Sequence, residues 1–493
     1  MRFLRPAIAF MAAWLVLGGV VIAQESGIIR GRVTDKHGAP LPGATVTVRS
    51  KSNPSVNNQG TVTNPKGEYR IPAISAGNDY EVTAAFPGFS TQIQRPVDVD
   101  TGRATTVDFI LTEELIEVIR VEAQGDIIDT EKTTTSTSVS QEFLTGLPIR
   151  GRSYSETLTL APGVTDIDGD GNPNVKGARE VDFQLRLSGV PINNPFSADR
   201  ALDLNIEAFE EIQIITGALT AEYSSQGGLG LVTTRSGGNE FQGSFKIFYQ
   251  SSSIDSDGAA NRDVTNDVRE IPSFRTLRPF ITVGGAIKKD RLWYFATLEY
   301  IDEQEPINFL AASKLSGKEG HRDFFKLTWQ VNPEHKASLE FFYEPTETFG
   351  NFIGPTIADE TDALTEEVGR LFTVRETWVM SPTVFLDSIV SYFTFDVDLM
   401  PTFTPEFDTA DDENLYGNPV MFDEQMLDFV QRTGLSVNPV SEHYIFDLSD
   451  RTVRGPFNLT QIQNSDQFQI REDLSIYVDD FFGNHTIKTG FEF

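Results

Sequence analysis

Cysteine is absent from this 493-residue sequence, and histidine is scarce. Without cysteine the chain has no disulfide bond, no lipid-modified cysteine and no thiol catalysis. The few histidines form no His-Glu-x-x-His pattern, so the ligand spacing of a zinc peptidase is missing. They are His37, His321, His335, His443 and His485. We therefore expect a protein that is not an enzyme.

Positive charge is also in short supply. The sequence has 40 lysines and arginines against 71 aspartates and glutamates, for a net charge of -31. This negative field disfavours nucleic acid as a partner. No lysine or arginine occurs between Glu376 and Gln431. That acidic stretch is either a solvated external surface or a surface that recruits divalent or cationic material, and the sequence leaves both interpretations open.

Long apolar runs are confined to the N-terminus. After a start containing Arg2 and Arg5, an apolar run from Ala7 to Ala23 is broken only by two glycines. Residues 1–23 are therefore predicted to be a secretory signal peptide, with a transmembrane anchor as the alternative because the run is somewhat long. No later segment approaches an apolar run of about 18 residues, which excludes a helical membrane protein.

From Phe241 onward a unit repeats: a strand of about ten residues, a tight turn, another strand and a long polar loop. In one such strand, Phe325, Leu327 and Trp329 alternate with polar neighbours. This alternation, at the length that a tilted strand needs to cross a bilayer, is typical of an outer-membrane β-barrel. A soluble β-sandwich also alternates, but it gives no reason for long and short loops to interleave. Residues 241–493 are therefore predicted to form the N-terminal part of a transmembrane antiparallel β-barrel.

Nine strands can be counted in this region. They lie near 241–250, 278–288, 291–302, 322–331, 335–345, 367–380, 383–396, 466–479 and 485–493. Short turns between them indicate the periplasmic side, and loops of roughly 20 to 70 residues indicate the external side. Plugged barrels have about 22 strands. We therefore expect the sequence to be a C-terminally incomplete chain that cannot close a barrel by itself.

Residues 27–112 alternate over short segments that glycine-containing turns separate. The turns include Gly38, Gly43, Gly67 and Gly88. Strands at a spacing of about ten residues predict a β-sandwich. The segment resembles the carboxypeptidase regulatory-like (transthyretin-like) domain. That resemblance does not imply catalysis, because no zinc-ligand pattern accompanies it.

Residues 114–140 contain a short β-branched segment followed by a stretch rich in threonine and serine. The segment resembles a TonB box, which adds as a strand to the periplasmic energy-transducing protein TonB. The alternative is a last strand of the preceding sandwich. The residues predicted to contact TonB are Ile116, Glu117, Val118, Ile119, Arg120, Val121 and Glu122.

Residues 141–240 carry four motifs in order. They begin at Leu147, Leu160, Leu187 and Val232. Together they resemble the α+β plug domain of TonB-dependent receptors, in particular the Oar-like subgroup. Ser188-Gly189 departs from the Asp-Gly that is usual in the family, which puts a role for an acidic residue at this position in doubt. Four plug arginines are expected to lie near carboxylates of the barrel wall; they are Arg152, Arg179, Arg186 and Arg235.

Within this region an acidic loop resembles the first half of a calcium loop. The candidate ligands are Asp166, Asp168, Asp170, Asn172 and Asn174. The bidentate glutamate of such loops is missing, since Gly177 stands at its position. Any calcium affinity should therefore be weak, and an ordinary turn is the alternative. No other cofactor is expected.

The resemblance implies an outer-membrane receptor of Gram-negative type, with the sandwich in the periplasm. It would take up a ligand across the outer membrane when TonB rearranges the plug. Its partners would be the TonB complex, outer-membrane lipid and an unidentified extracellular ligand. The alternative is a surface adhesion or scaffold protein of the same fold that transports nothing.

Overall fold

The structure is a computed structural model of the chain. It describes residues 26–50, 53–56, 59–113, 119–121, 134–146, 154–167, 171–195, 197–198, 200–203, 205–219, 223, 225–254, 273–308, 313–350, 362–401, 445–447, 452–454, 461–478 and 485–493. The predicted signal peptide lies outside these residues. Among the described residues, no helix combines the length and the apolarity that a bilayer crossing requires.

Residues 26–113 form a β-sandwich, which we call the module. Its strands are β1 (Gly27–Asp35), β2 (Thr45–Arg49), β3 (Gly60–Val62), β4 (Glu68–Ile74), β5 (Gly77–Ala85), β6 (Gln92–Val99), β7 (Ala104–Thr106) and β8 (Phe109–Leu111). One sheet has the order β4-β1-β7, with β8 also paired to β1, and the other contains β3-β2-β5-β6. The core between them is apolar, and Ile29, Val46, Val82 and Phe109 are fully buried.

The second sheet of the module gains one more strand from the chain that follows. Strand β9 (Ile119–Val121) pairs in parallel with β6, with Ile119 opposite Gln92 and Val121 opposite Gln94. Within the described chain β9 is the terminal strand of this sheet, so only one of its edges is paired. Part of the segment predicted as a TonB box is therefore paired with a strand of the module.

Residues 134–240 form the plug. Its elements are β10 (Thr135–Ser140), α1 (Gln141–Gly146), α2 (Tyr154–Leu158), β11 (Val164–Thr165), β12 (Asn174–Val175), β13 (Gln184–Leu187), β14 (Val190–Pro191), β15 (Phe209–Gly217) and β16 (Leu229–Thr234). The central sheet has the order β10-β15-β16-β13-β14, in which β13 and β16 are parallel. This mixed sheet with short helices confirms the α+β architecture expected for the region.

The remaining chain forms a nine-stranded antiparallel sheet, which we call the wall. Its strands are β17 (Gln242–Ser251), β18 (Arg275–Lys288), β19 (Leu292–Asn308), β20 (Ser313–Gln330), β21 (His335–Phe349), β22 (Ala363–Ser381), β23 (Val384–Pro401), β26 (Gln461–Val478) and β27 (His485–Glu492). A separate hairpin joins β24 (Ile445–Asp447) to β25 (Thr452–Arg454). Consecutive wall strands are neighbours throughout, and β17 and β27 are the edges of the described sheet.

All nine expected wall strands form, but most are longer than the expected ten residues. Six of them, β19 to β23 and β26, have 15 to 19 residues. A tilted strand crosses a bilayer with about 9–11 residues, so these hairpins continue beyond it. One expected long loop therefore becomes a short connection, and the expected loop after β21 shortens to residues 350–362. Only residues 309–312 separate β19 from β20.

The outer face of the wall is apolar and exposed. Phe245, Ile247 and Trp329 are 63%, 53% and 50% exposed, and the intervening positions point to the plug. Soluble surfaces rarely carry so continuous an apolar band. The alternation that predicted the strands therefore separates an apolar outer surface from a plug-facing one, as in a transmembrane barrel.

The plug joins the wall at a crowded crossing. A Cβ on Gly237 would lie 2.1 Å from the carbonyl oxygen of Tyr294, so only glycine fits there. Just beyond, the Asn239 side chain accepts hydrogen bonds from the Asp290 amide (2.9 Å) and from Trp293 Nε1 (2.8 Å). The C-terminal end of the plug is thus fixed to the turn between β18 and β19.

Candidate functional site: the interface between plug and wall

The plug packs into the concave face of the wall through one shared apolar cluster. Plug residues such as Leu202 and Phe209 belong to the same cluster as Phe324, Phe342 and Phe393 of the wall. The rings of Phe324 and Phe342 stack with centroids 4.3 Å apart. Because the cluster draws on strands from β19 to β23, the wall curves around the plug.

A buried ionic cluster lies beside these rings. The guanidinium of Arg322 on β20 pairs with Asp203 of the plug and with Glu344 of β21, the latter at 2.8 Å. The Asp203 amide donates to Glu344 at 2.6 Å. Each of these residues is less than a tenth exposed. Removing one partner from such a cluster leaves a buried charge unpaired, at a cost of about 3–5 kcal/mol.

A second polar cluster centres on Glu340 of β21. Its carboxylate accepts hydrogen bonds from Ser188 Oγ (2.7 Å) and Thr234 Oγ1 (3.1 Å) of the plug, and pairs with Lys326 Nζ (2.9 Å) of β20. Ser188 and Gly189 both have positive φ and form the tight turn between β13 and β14. A serine fits here because its hydroxyl donates to Glu340, whereas an ionised aspartate would repel it. The departure from Asp-Gly therefore matches the wall residue that this position faces.

The expectation for plug arginines is only partly met. Arg186 is almost fully buried and makes two 3.0 Å hydrogen bonds to Glu492 of β27. Arg235 lies over the ring of Phe295 on the wall, but its nearest carboxylate is Glu210 of the plug, at 3.9 Å. Arg179 is exposed and pairs with Asp182 within the plug, since it lies away from the wall. Arg152 lies outside the described residues.

Several contacts run the other way, from plug carboxylates to wall cations, and sequence reasoning missed them. Besides Asp203, the plug offers Glu207, which pairs with Lys246 of β17 at 2.8 Å. A usable signal existed for Glu207, because Lys246 occupies the polar face of its strand, which faces inward. A charge at an inward position needs a partner on the plug.

Comparison with known proteins agrees with this architecture. Residues 28–112 match the carboxypeptidase regulatory-like domain, and residues 129–231 match the TonB-dependent receptor plug domain. The TonB-dependent transporter Oar of Myxococcus xanthus is 29% identical over 390 residues, which cover 71% of this chain and 36% of that protein. Together these matches support a TonB-dependent receptor. The chain carries a regulatory-like domain at its N-terminal side, and it spans about a third of the length of this curated relative.

A solved structure shows the same fold for the receptor. The outer membrane transporter YddB from Escherichia coli superposes with a TM-score of 0.52 at 12% identity, covering 72% of this chain and 47% of that one. At this identity the likeness extends to the fold alone. It supports the assignment of the nine-stranded wall as part of a plugged barrel.

The structure places only part of the predicted TonB-contacting segment. Strand β9 contains Ile119, Arg120 and Val121 and pairs with β6. The alternative interpretation, a last strand of the preceding sandwich, predicts this pairing. Ile116, Glu117, Val118 and Glu122 lie outside the described residues. Among the described residues, β9 pairs with β6 along one edge only. The TonB contact therefore stays a prediction.

The proposed calcium loop is also described in part. The Gly171 amide donates to Asp166 Oδ2 at 3.0 Å, and the Arg200 amide donates to Asn172 Oδ1 at 2.8 Å. Asn174 donates through its side chain to the Ala178 carbonyl at 3.4 Å. Asp168 and Asp170 lie outside the described residues, and no metal-ligating cluster occurs in the part that the structure describes. Calcium binding stays a prediction.

The module contacts the plug through Thr101, which follows β6. Its amide donates to Glu211 Oε2 (2.9 Å), its carbonyl accepts from Gln213 Nε2 (3.0 Å), and its hydroxyl lies 3.0 Å from Thr233 Oγ1. Burial raises the pKa of Glu211. Burial also raises the pKa of neighbouring Glu210 to about 7, with Arg235 opposing the shift. The seam between module and plug is therefore polar and largely buried.

Proposed function

We propose that the receptor takes up a ligand across the outer membrane, and that a TonB protein supplies the energy by rearranging the plug. The observation that carries this proposal is the seating of the plug. It fills the concave face of a lipid-facing wall, and buried ionic clusters around Arg322 and Glu340 fix it there. Such pairs specify a position and add little net stability compared with an apolar contact. A domain fixed in this way closes a pore and can still be moved.

TonB would bind at residues 116–122. A partner strand adds to an exposed sheet edge through backbone hydrogen bonds, and within the described chain β9 has one such edge. The module would then lie in the periplasm, where TonB reaches it, and the apolar outer face of the wall would contact outer-membrane lipid. The name of the relative from Myxococcus xanthus describes a transporter, in line with this proposal. No step breaks a covalent bond, so we infer that the receptor is not an enzyme.

The TonB segment is tested by backbone substitution. Val118→Pro and Val121→Pro each remove a backbone donor, and should weaken binding of the purified periplasmic domain of TonB at least about tenfold in the full-length receptor. Val118→Thr and Val121→Thr are the matched controls, because they keep the donors and the β-propensity, and should bind within about twofold of the parent. Unchanged binding by both proline variants would remove TonB from this segment. A receptor that binds TonB but imports no candidate ligand would favour the adhesion alternative.

Weak calcium binding at the loop starting at Asp166 is a separate proposal. Its affinity should fall in the range of about 10⁻⁴–10⁻³ M, as in extracellular modules. Calcium titration of the full-length receptor, compared with Asp166→Asn, measures it. Equal heats for the two proteins would show an ordinary turn.

A further inference from the structure

The module touches the wall as well as the plug, and the two contacts differ in kind. On the wall side, Ala73 of β4 packs with Phe385 and Tyr477, and all three side chains are buried. The guanidinium of Arg70 lies 4.5 Å from the centre of the Tyr477 ring. The only side-chain hydrogen bond described across this contact runs from Lys336 Nζ to Ser75 Oγ, at 3.2 Å. The module thus bridges the plug and the wall.

The plug side is the tighter of the two. Thr101 is 1% exposed, and Glu211 and Gln213 are 4% and 2% exposed. The amide, carbonyl and hydroxyl of Thr101 all have plug partners. Separating the module from the plug would leave these groups without hydrogen-bond partners, and a buried polar group without a partner is costly. A second contact, from the Asn78 amide to Glu142 of α1, holds the same two bodies together.

The wall side already contains space and polar groups. A cavity of about 80 Å³ lies where module, plug and wall meet. Ser75 of the module, Glu210 of the plug, and Lys326, Lys336 and Arg375 of the wall are among its lining residues. Water entering this cavity would hydrate charged groups of both signs, among which Lys326 pairs with Glu340 and Arg375 with Asp387. Separation of the module from the wall therefore exposes polar cavity-lining groups that can form hydrogen bonds with water.

The strand that TonB would engage belongs to the tighter body. Strand β9 pairs with the start of β6, and Thr101 follows two residues after the end of β6 at Val99. A displacement of β9 is thus transmitted through β6 and Thr101 to β15 and β16 of the plug. We infer that the module is a coupling element that moves with the plug and parts from the wall along the Ser75–Lys336 seam. This inference rests on the proposed function, because it takes TonB as the source of the displacement.

Two pairs of cysteines test the inference in the full-length receptor, since the sequence has no cysteine of its own. Thr101→Cys with Thr233→Cys reports on the seam between module and plug. Ser75→Cys with Lys336→Cys reports on the seam between module and wall. The buried pair at positions 101 and 233, where the two hydroxyls lie 3.0 Å apart, is joined by oxidation to a disulfide. The wall pair, which replaces a long lysine side chain, is joined by a short bis-maleimide. Both reactions are run in energised cells and in cells treated with a protonophore, and the cross-linked peptides are quantified by mass spectrometry. Arg70→Cys with Tyr477→Cys is a second wall pair, in case the Lys336 variant fails to assemble.

The expected result is asymmetric. Cross-linking of Thr101 to Thr233 should be equal in both conditions, whereas cross-linking of Ser75 to Lys336 should fall several-fold in energised cells. A fall in the module–plug pair, a fall in both pairs or a change in neither would overturn the inference. Adding Val121→Pro should abolish the energy dependence of the wall pair. If the wall pair still responds in that background, the TonB assignment of β9 is wrong while the coupling of module and plug stands.

Discussion

The core of the module and the interface between plug and wall are both buried, but they are built from different chemistry. In the module, Val46, Val82 and Phe109 are fully buried among other apolar side chains. In the interface, Arg322 and Glu340 are also buried, but beside the shared apolar cluster they are surrounded by charged and hydroxyl groups. Apolar burial stabilises without regard to direction, while ionic contacts are satisfied in one arrangement only. Apolar burial suits a domain that stays folded, and ionic contacts suit an interface whose two sides move relative to each other.

The largest effect is expected from Arg322. Replacing it by alanine removes the cation between the buried carboxylates of Asp203 and Glu344, and leaves Asp203 with its longer pair to Arg200 at 3.4 Å. The loss should weaken plug seating by about 3–5 kcal/mol. Limited proteolysis of the full-length receptor in detergent measures plug release. Arg179→Ala is the control, because its pair with Asp182 is exposed and should contribute less than about 1 kcal/mol. Equal proteolysis of the two variants would contradict a role for the buried cluster.

A loss of similar free energy in the core of the module should have a different outcome. Phe109→Ala removes a fully buried ring that contacts Tyr69, at a cost of about 3–5 kcal/mol. The module should unfold at lower temperature while the plug stays seated. Its neighbour Ile110 is 59% exposed, so Ile110→Ala should change stability by less than about 0.5 kcal/mol. Differential scanning calorimetry of the receptor resolves the module transition, and joint loss of module and plug would argue against separate bodies.

Ser188 sharpens the comparison at a single position. Ser188→Asp places a carboxylate against Glu340, while Ser188→Asn has the same shape, tolerates positive φ and carries no charge. At neutral pH we expect the aspartate variant to seat the plug about 1–3 kcal/mol less well than the asparagine variant. Denaturant-induced release of the plug measures the difference. Equal midpoints would mean that Glu340 does not sense this turn.

The smallest effect concerns pH at the junction of module and plug. Glu210 has a pKa of about 7 in the folded protein, raised by burial from 4.5, with Asp79 and Glu211 adding to the shift and Arg235 and Lys326 opposing it. The folded state therefore binds its proton more tightly, so stability is full below pH 4.5 and falls as the pH rises to about 7. Because the side chain is partly exposed, we expect a loss on the order of 1 kcal/mol. Glu210→Gln should flatten this pH dependence in thermal unfolding, and an unchanged slope would assign it to other groups.

The parts of the fold that could be predicted are those with a local pattern. The alternation around Trp329 reveals a strand because one face meets lipid and the other meets the plug. The same strands continue past the bilayer, where Glu303, Gln304 and Glu305 follow one another and no alternation is left to read. The partners of Arg186 and Arg322 were unpredictable for another reason. The pairs Arg186–Glu492 and Arg322–Asp203 each join residues more than a hundred positions apart, and only the seating of the plug brings them together.

Gly237 tethers the C-terminal end of the plug to the wall. Three peptide units separate it from Thr234 at the end of β16, and each spans at most about 3.6 Å. The last strand of the plug can therefore travel no farther than about 11 Å from its hinge on Tyr294 while β16 remains intact. As long as Gly237 keeps its contact with Tyr294, the plug cannot leave the wall as one body, and any displacement is a rotation about Gly237 or an unfolding that starts at the N-terminal side of the plug.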